Sequence, residues 1–253
     1  MNIAIITGAS SGMGKEFALR ISETANIEEM WLIARREDKL KMLASQLKIP
    51  CRVLPMDLTK EESLSELKNL LSQENPVVKV LVNAGGYGKF GAFNDIPIEE
   101  QMGMIDLNCK ALTQITYFVL PYTEKGSQIY QLGSLSAFQP VPYIGVYGAG
   151  KAYVLSFSRA LNRELKRKGI RVMAVCPGWV KTEFFDRAVR DDTISYYNRF
   201  YTAEQVVKRA LRDMKKGKDV SICGIAVRMQ VRATKLLPHK LVMAIWCKQQ
   251  RKT

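Results

Sequence analysis

Six short apolar runs, each followed by a stretch long enough for a helix, do most to limit what this chain can fold into. They read NIAIIT (2–7), EMWLIA (29–34), CRVLPM (51–56), VKVLVN (78–83), SQIYQL (127–132) and IRVMAV (170–175). Parallel strands need crossover connections, and such crossovers are almost always right-handed, so this alternation predicts an α/β fold: one doubly wound parallel sheet with helices on both faces. DVSIC (219–223) predicts a seventh strand. One domain of this kind accounts for all 253 residues, since no Pro/Gly/Ser-rich linker, low-complexity stretch or internal repeat marks a boundary.

In a sheet of this kind, ligands bind at the carboxyl ends of the strands, where the strand order reverses. The sequence directly after the first strand fits that role. TGASSGMGKEFA carries Gly8, Gly12 and Gly14 in a Gly-x-x-x-Gly-x-Gly spacing and runs into a helix, with Ser10, Ser11 and Met13 between the glycines. Glycines let the backbone turn sharply and approach a pyrophosphate, and a helix N-terminus offers it unpaired N–H groups. The combination predicts a Rossmann-type dinucleotide site. At the end of the second strand, Ala34 stands where an acidic side chain would bind an adenosine ribose, and Arg35 and Arg36 follow. That arrangement suits a 2′-phosphate, hence NADP rather than NAD; solvent-exposed arginines ahead of a helix are the plainer alternative.

A second feature needs a chemical explanation. YGAGK (147–151) sets Tyr147 and Lys151 four residues apart, on one face of a helix, at the cost of Gly148 and Gly150 in a helical stretch. A phenol ionises near pH 10, so exchanging its proton near neutrality requires a lower pKa, which an ammonium one turn away is expected to supply. Small residues at 148–150 are expected to keep that helix face open to cofactor and substrate.

TGASSGMG, MDLT at 56, NAGG at 83, Asn108 in IDLNCK, GSLSA at 133, YGAGK at 147 and PGWVKT at 177 follow one another with suitable spacing. On these seven elements the chain, from residue 1 to about 220, resembles the short-chain dehydrogenase/reductase family. The resemblance implies a nicotinamide-dependent oxidoreductase acting on secondary alcohols and ketones, NADP-dependent on the arginine reading above, with Ser134, Tyr147, Lys151 and Asn108 as catalytic residues. Ser134 lies thirteen residues before Tyr147, the family's separation, with Ser136 in reserve. Lys151 would also reach the nicotinamide ribose, and Asn108 would hold a water that relays protons to the lysine. Asp57 with Leu58 matches the adenine end, although Asp57 also suits a helix cap. Asn83, Ala84 and Gly85 match the segment along the cofactor and the central strand. Pro177, Gly178, Val180 and Thr182 match the nicotinamide side, while Pro177 and Gly178 also suit a simple strand end. Gly150 stands where the family usually has serine, which predicts a weaker helix start with the chemistry intact.

The resemblance also implies a mobile flap at about 183–201. Phe184 and Phe185 there, with Tyr143, are candidate substrate contacts, and six aromatics (Phe184, Phe185, Tyr196, Tyr197, Phe200, Tyr201) favour a bulky apolar substrate such as a hydroxysteroid. A 3-oxoacyl thioester is the alternative, and packing of the flap onto the body explains the aromatics equally well. The family often pairs through the helices carrying Asn108 and Tyr147, which implies a homodimer or homotetramer.

The net charge is +14, and from Tyr201 onward thirteen Lys or Arg face only Glu204, Asp213 and Asp219. Anionic partners follow from this, but charge alone does not choose among cofactor phosphate, acidic substrate, membrane surface and nucleic acid. Nucleic acid is not expected, since no helix-turn-helix, zinc or stacking-platform signature is present. The basic extension at about 224–253 is read as helices completing the pocket or a subunit contact, as a peripheral membrane contact, or as a solvated face. His239, after Pro238, is read as a turn residue. Five cysteines without a Cys-x-x-Cys pair and a single histidine predict neither a disulfide framework nor a metal site. MNIAII is too short for a signal peptide and no long apolar run occurs, so a cytoplasmic location is expected.

Overall fold

The structure is a computed structural model that describes residues 1–188, 193, 194 and 196–252. Every predicted run is a strand, with ends shifted by at most one residue: β1 (Asn2–Thr7), β2 (Glu29–Ala34), β3 (Cys51–Pro55), β4 (Val77–Asn83), β5 (Gln128–Leu132) and β6 (Arg171–Val175). The seventh, β9 (Val220–Ser221), lies within DVSIC. All seven form one parallel sheet in the order β3-β2-β1-β4-β5-β6-β9. The order reverses between β1 and β4, which are hydrogen-bonded neighbours, so a crevice opens where these two strands end.

Strand alternation divides the core into two layers. Ala4 and Ile6 face one side, where they meet Phe17, Ala18 and Ile21 of α1 (Gly12–Thr24), Leu40 and Leu43 of α2 (Glu37–Ala44), and Val206, Val207 and Ala210 of α8 (Ala203–Lys215). Ile3 and Ile5 face the other side with Leu64, Leu67 and Leu71 of α3 (Glu61–Glu74), Ile115 and Val119 of α5 (Leu112–Val119), and Leu161 and Leu165 of α6 (Gly145–Leu165). In these helices the apolar residues recur at helical spacing, and that periodicity fixes which face is buried. α8 starts at a reciprocal cap: Thr202 Oγ1 accepts from the Gln205 N–H at 3.2 Å, and Gln205 Oε1 accepts from the Thr202 N–H at 3.1 Å.

Three features depart from expectation. A π-helical turn, Asp106–Ala111, joins α4 (Ile98–Ile105) to α5, so Asn108 sits in a widened turn rather than in a regular helix. Two three-residue strands, β7 (Trp179–Lys181) and β8 (Phe200–Thr202), pair in a separate sheet at the two ends of the expected flap. Between them lies α7 (Phe184–Ala188), while flap residues 189–192 and 195 fall outside the described residues. The basic extension forms α9 (Ile225–Leu236) and α10 (His239–Gln249), so His239 opens a helix behind Pro238 and is not a turn residue. Proline there is compatible with the helix entry, where its missing N–H needs no partner. Among the described residues no helix is long and apolar enough to cross a membrane.

Candidate active site

The crevice at the ends of β1 and β4 is the mouth of a cavity of about 1000 Å³ that runs from Arg35 and Arg36 to Trp246. Its floor is the glycine turn. Gly8 has φ +66°, and a Cβ there would lie 2.7 Å from the Ala84 carbonyl, so the loops after β1 and β4 touch backbone to backbone. A Cβ on Gly14 would lie 2.2 Å from the Gly8 carbonyl oxygen. α1 opens at Gly12 with no side-chain cap and no acidic residue in its first turn, leaving its N-terminal dipole available to an anion. Ser10, Ser11, Gly12 and Met13 line the cavity beside it.

At one end Arg35 and Arg36 join the lining, and Arg36 donates to Ser10 Oγ at 3.2 Å. Asp57 and Leu58 form the adjoining wall. The Asp57 carboxylate accepts from the Thr59 N–H at 3.0 Å and the Thr59 hydroxyl at 2.8 Å, and α3 begins only at Glu61, so Asp57 closes a turn and does not cap the helix. Partial burial pushes this carboxyl up, but the two Thr59 bonds and the Arg35 charge outweigh it and hold the group below its ordinary value. Ala84 and Gly85 line the cavity, whereas Asn83 does not. The Asn83 amide instead turns into the core and donates to Gln131 Oε1 at 2.9 Å and Thr116 Oγ1 at 3.1 Å, tying β4 to β5 and α5.

At the middle, α6 puts Tyr147 and Lys151 on one face, with the Lys151 ammonium 5.5 Å from the centre of the Tyr147 ring. Lys151 is buried and donates to the Leu132 carbonyl at 2.7 Å. Ser134, at the end of β5, hydrogen-bonds the phenol and accepts from the Ser136 N–H at 3.2 Å. Ser136 also lines the cavity, and its hydroxyl is buried with no hydrogen-bond partner among the described residues.

Two expectations about this helix are corrected. Gly148 and Gly150 do not line the cavity: a Cβ on Gly150 would meet Cys109 Sγ at 3.2 Å, and one on Gly148 would meet Val141 and Ser136 at 3.8 and 3.9 Å. Successive helical residues are rotated by about 100°, which turns 148 and 150 to the flanks of the Tyr147 face, where their smallness allows close approach of neighbouring segments. Gly150 is also no part of the helix start, since α6 begins at Gly145.

The electrostatics differ as well. Burial pushes the Tyr147 phenol up to about 12, with the Ser134 bond offsetting only part of the shift. Burial likewise brings Lys151 down to about 8. The chain's own groups therefore hold the phenol neutral instead of lowering its pKa, because both groups leave water and the ammonium aims its proton at a carbonyl.

Asn108 stands outside the cavity wall. Its amide is bonded both ways to Tyr87, accepting from its N–H at 3.1 Å and donating to its carbonyl at 2.8 Å. A Cβ on the intervening Gly86 would lie 2.7 Å from Asn108 Oδ1 and 3.6 Å from Lys151 Nζ, so the asparagine borders the lysine through this glycine. Tyr143 is also outside the lining. Its φ of +66° is the left-handed conformation, and its ring packs on the apolar cluster that holds Phe90, Val141 and Ile144, with the Lys252 ammonium 5.6 Å from its centre.

Pro177, Gly178, Val180, Thr182, Phe184 and Phe185 line the far side. Phe184 lies 5.7 Å from the Tyr147 ring and Phe90 lies 6.4 Å from it on another side. Phe90, Trp179 and Trp246 also line the pocket; Phe90 and Trp246 carry no motif around them, and Trp179 lies inside PGWVKT, where its flanking residues, and not the indole, match the nicotinamide side. Trp246, on α10, donates from its indole N–H to the Pro142 carbonyl at 3.0 Å, so the extension completes the pocket wall. No cluster that could hold a metal occurs among the described residues.

Comparison with known proteins agrees with this geometry. The family model described as short chain dehydrogenase matches residues 2–193. A sulfoacetaldehyde reductase of Chromohalobacter salexigens is 35% identical over 189 residues, covering 72% of this chain and 74% of that protein. A short-chain dehydrogenase from Sphingobium yanoikuyae, solved in complex with NADPH, superposes with a TM-score of 0.80 at 30% identity, over 96% of each chain. The bulky-bulky ketone specific alcohol dehydrogenase from Comamonas testosteroni gives a TM-score of 0.76 at 26% identity, over 96% of this chain and 94% of that one. With the family model matched over residues 2–193 and Ser134, Tyr147 and buried Lys151 lining the cavity at the sheet's switch point, the chain belongs to the short-chain dehydrogenase family of oxidoreductases.

Proposed function

We propose that the protein is an NADP-dependent oxidoreductase that interconverts a ketone and a secondary alcohol on a bulky apolar substrate, a hydroxysteroid being the leading class. The observation that carries the substrate reading is the aromatic wall around Tyr147: Phe90 and Phe184 flank its ring, and Trp179 and Phe185 extend the wall with ring centres 5.8 Å apart. Such a surface rewards desolvation of rings and alkyl chains and offers few partners to a small charged substrate. The solved relative specific for bulky ketones supports the same reading.

Two features of the chain fit a phosphate-bearing dinucleotide. The glycine turn has no room for a Cβ at Gly8 or Gly14, and the uncapped start of α1 borders the cavity. Gly8, Ser10, Ser11, Gly12, Met13 and Gly14 would hold the pyrophosphate, and Arg35 and Arg36 a 2′-phosphate. Asp57, Leu58, Ala84 and Gly85 would line the adenosine half, and Pro177, Gly178, Val180 and Thr182 the nicotinamide half. The bound nicotinamide supplies the hydride. Tyr147, neutral at physiological pH, hands its proton to the carbonyl oxygen, which Ser134 holds by hydrogen bond. Lys151 fixes the phenol electrostatically and restores its proton. Asn108 acts as a positioning residue, holding the Gly86–Tyr87 turn against the lysine. The chain is proposed to work as a homodimer or homotetramer.

The test is a panel of steroid ketones, acyl thioesters and small keto acids and aldehydes, each assayed with NADPH and NADH by nicotinamide absorbance. NADPH-dependent turnover of the bulky ketones is expected, and turnover confined to small acidic carbonyls overturns the substrate reading. Tyr147→Phe is expected to abolish turnover and spare NADPH binding; more than a tenth of wild-type activity would remove Tyr147 from its role.

A further inference from the structure

We infer that Glu183 is a specificity-determining residue for the cofactor: its carboxylate occupies Arg36, one of the two arginines placed at a 2′-phosphate, and Lys39 beside it, so it competes with NADP and leaves NAD untouched. The inference rests on the NADP reading above.

Both oxygens of Glu183 are engaged, one per cation: Oε2 lies 2.8 Å from Arg36 Nη1, and Oε1 lies 2.7 Å from Lys39 Nζ. Arg36 is also the residue that reaches Ser10 on the glycine turn. Glu183 comes from the opposite side of the cavity, directly after β7. Its neighbour Thr182 packs on the glycine turn, where a Cβ on Gly12 would meet the threonine side chain at 3.2 Å. The next residue, Phe184, packs on the Tyr147 ring. Residues 182–184 therefore form a strap across the cleft. It is anchored on the glycine turn, ion-paired at the adenosine end and stacked against the phenol at the other end.

A dianionic phosphate and a carboxylate cannot both neutralise two cations at the same place, so binding of the phosphate exchanges one anion for another. Glu183, Arg36 and Lys39 are each partly exposed, at 43%, 43% and 35% of their side-chain surface. Exposed pairs of this kind hold weakly, so the competition is modest and reversible. A cofactor without the phosphate has no need of those cations, and the ion pairs stay closed over it. The carboxylate thus narrows the preference between the two nicotinamide cofactors.

The experiment measures binding of adenosine 2′,5′-bisphosphate and of 5′-AMP by calorimetry, to the full-length wild type and to Glu183→Gln. The variant is expected to bind the bisphosphate about three- to tenfold more tightly and 5′-AMP unchanged. In an Arg36→Met/Lys39→Met background the same substitution is expected to change neither affinity. Unchanged or weaker bisphosphate binding by Glu183→Gln overturns the inference, as does equal tightening for both probes or tightening that persists in the Arg36→Met/Lys39→Met background, the last being a net-charge effect only. A wild type that does not distinguish the two probes overturns the NADP reading itself, and the inference with it. Thermal unfolding of each variant, compared with wild type, identifies a variant that has lost its fold, and Glu183→Ala then repeats the comparison.

Discussion

Lys151→Met separates what the buried ammonium does for chemistry from what it does to stability. The side chain is 5% exposed, and burial takes the ammonium from 10.5 in the unfolded chain to about 8 in the native one. Each pKa unit corresponds to about 1.4 kcal/mol, so the charged form costs the native state about 3 kcal/mol at neutral pH. The substitution removes this cost but strips the Leu132 carbonyl of its donor, a loss of about 1–3 kcal/mol. At pH 7 the two nearly cancel, and the variant is expected to be as stable as wild type or slightly more so, while inactive. The pH dependence is the sharper signal. Between the native and unfolded pKa values the unfolded state binds more protons, so wild-type stability gains as pH rises through that window and loses as pH falls through about 8. The carbonyl penalty does not titrate. The stability difference between variant and wild type should therefore shift by about 2.5 kcal/mol in favour of wild type from about pH 7 to about pH 10. Urea denaturation followed by circular dichroism at intervals across this range measures it, and groups common to both proteins cancel in the difference. A difference that stays flat would show that the native lysine titrates as an exposed one does.

Gly14→Ala puts a Cβ 2.2 Å from a backbone oxygen that cannot step aside, so a melting temperature several degrees lower and loss of dinucleotide binding are expected. Asp213, buried on α8, receives Arg209 Nε at 2.8 Å and the Ser221 hydroxyl at 3.0 Å, and so ties α8 to edge strand β9. Burial pushes this carboxyl up, but its three partners, Arg209, Lys218 and Ser221, outweigh that and hold it below the carboxylate range. Its contribution is full above that range and is lost as pH falls through the depressed value. Asp213→Asn should cost about 1–2 kcal/mol in urea at neutral pH, after discounting its half-exposed cations, and the gap from wild type should close on acidification. Trp246→Ala opens the wall built by α10 and should raise KM for bulky ketones about tenfold while sparing small ones; equal effects on both would place the indole away from the substrate.

The first six strands were legible because each is a largely apolar run of five to seven residues between helix-length stretches, the two-residue β9 only as the end of DVSIC, and the glycine turn because only glycine tolerates φ +66° at residue 8 with Ala84 against it. The Tyr147–Lys151 pair was legible because four-residue spacing on a helix survives any packing, and Ser134 only through its family-like separation of thirteen residues from Tyr147. Side-chain direction was not. Asn83 and Asn108 lie in matching motifs, yet both amides turn to backbone or core partners, a choice made by residues far away in sequence. β7 and β8 have three residues each, too few for alternation to register. Trp179 and Trp246 became pocket walls only once β7 and α10 were folded over the sheet.

The order in which the two central groups lose protons decides what limits the reductive reaction at high pH. In the free protein the phenol stays protonated to about 12 and the ammonium only to about 8, so on raising the pH the lysine is the first to change state. The proton donor is still intact there; what disappears is the charge that steadies the phenolate as it forms, beside a ring 5.5 Å away. Because kcat/KM reports the groups of the free enzyme, its alkaline limb for ketone reduction is expected to begin near pH 8 and to fall about tenfold per unit. That limb belongs to Lys151 and not to Tyr147. A rate that holds level to about pH 10 would mean that the ammonium keeps its ordinary proton affinity at the foot of α6, and the phenol would then have to carry the limb.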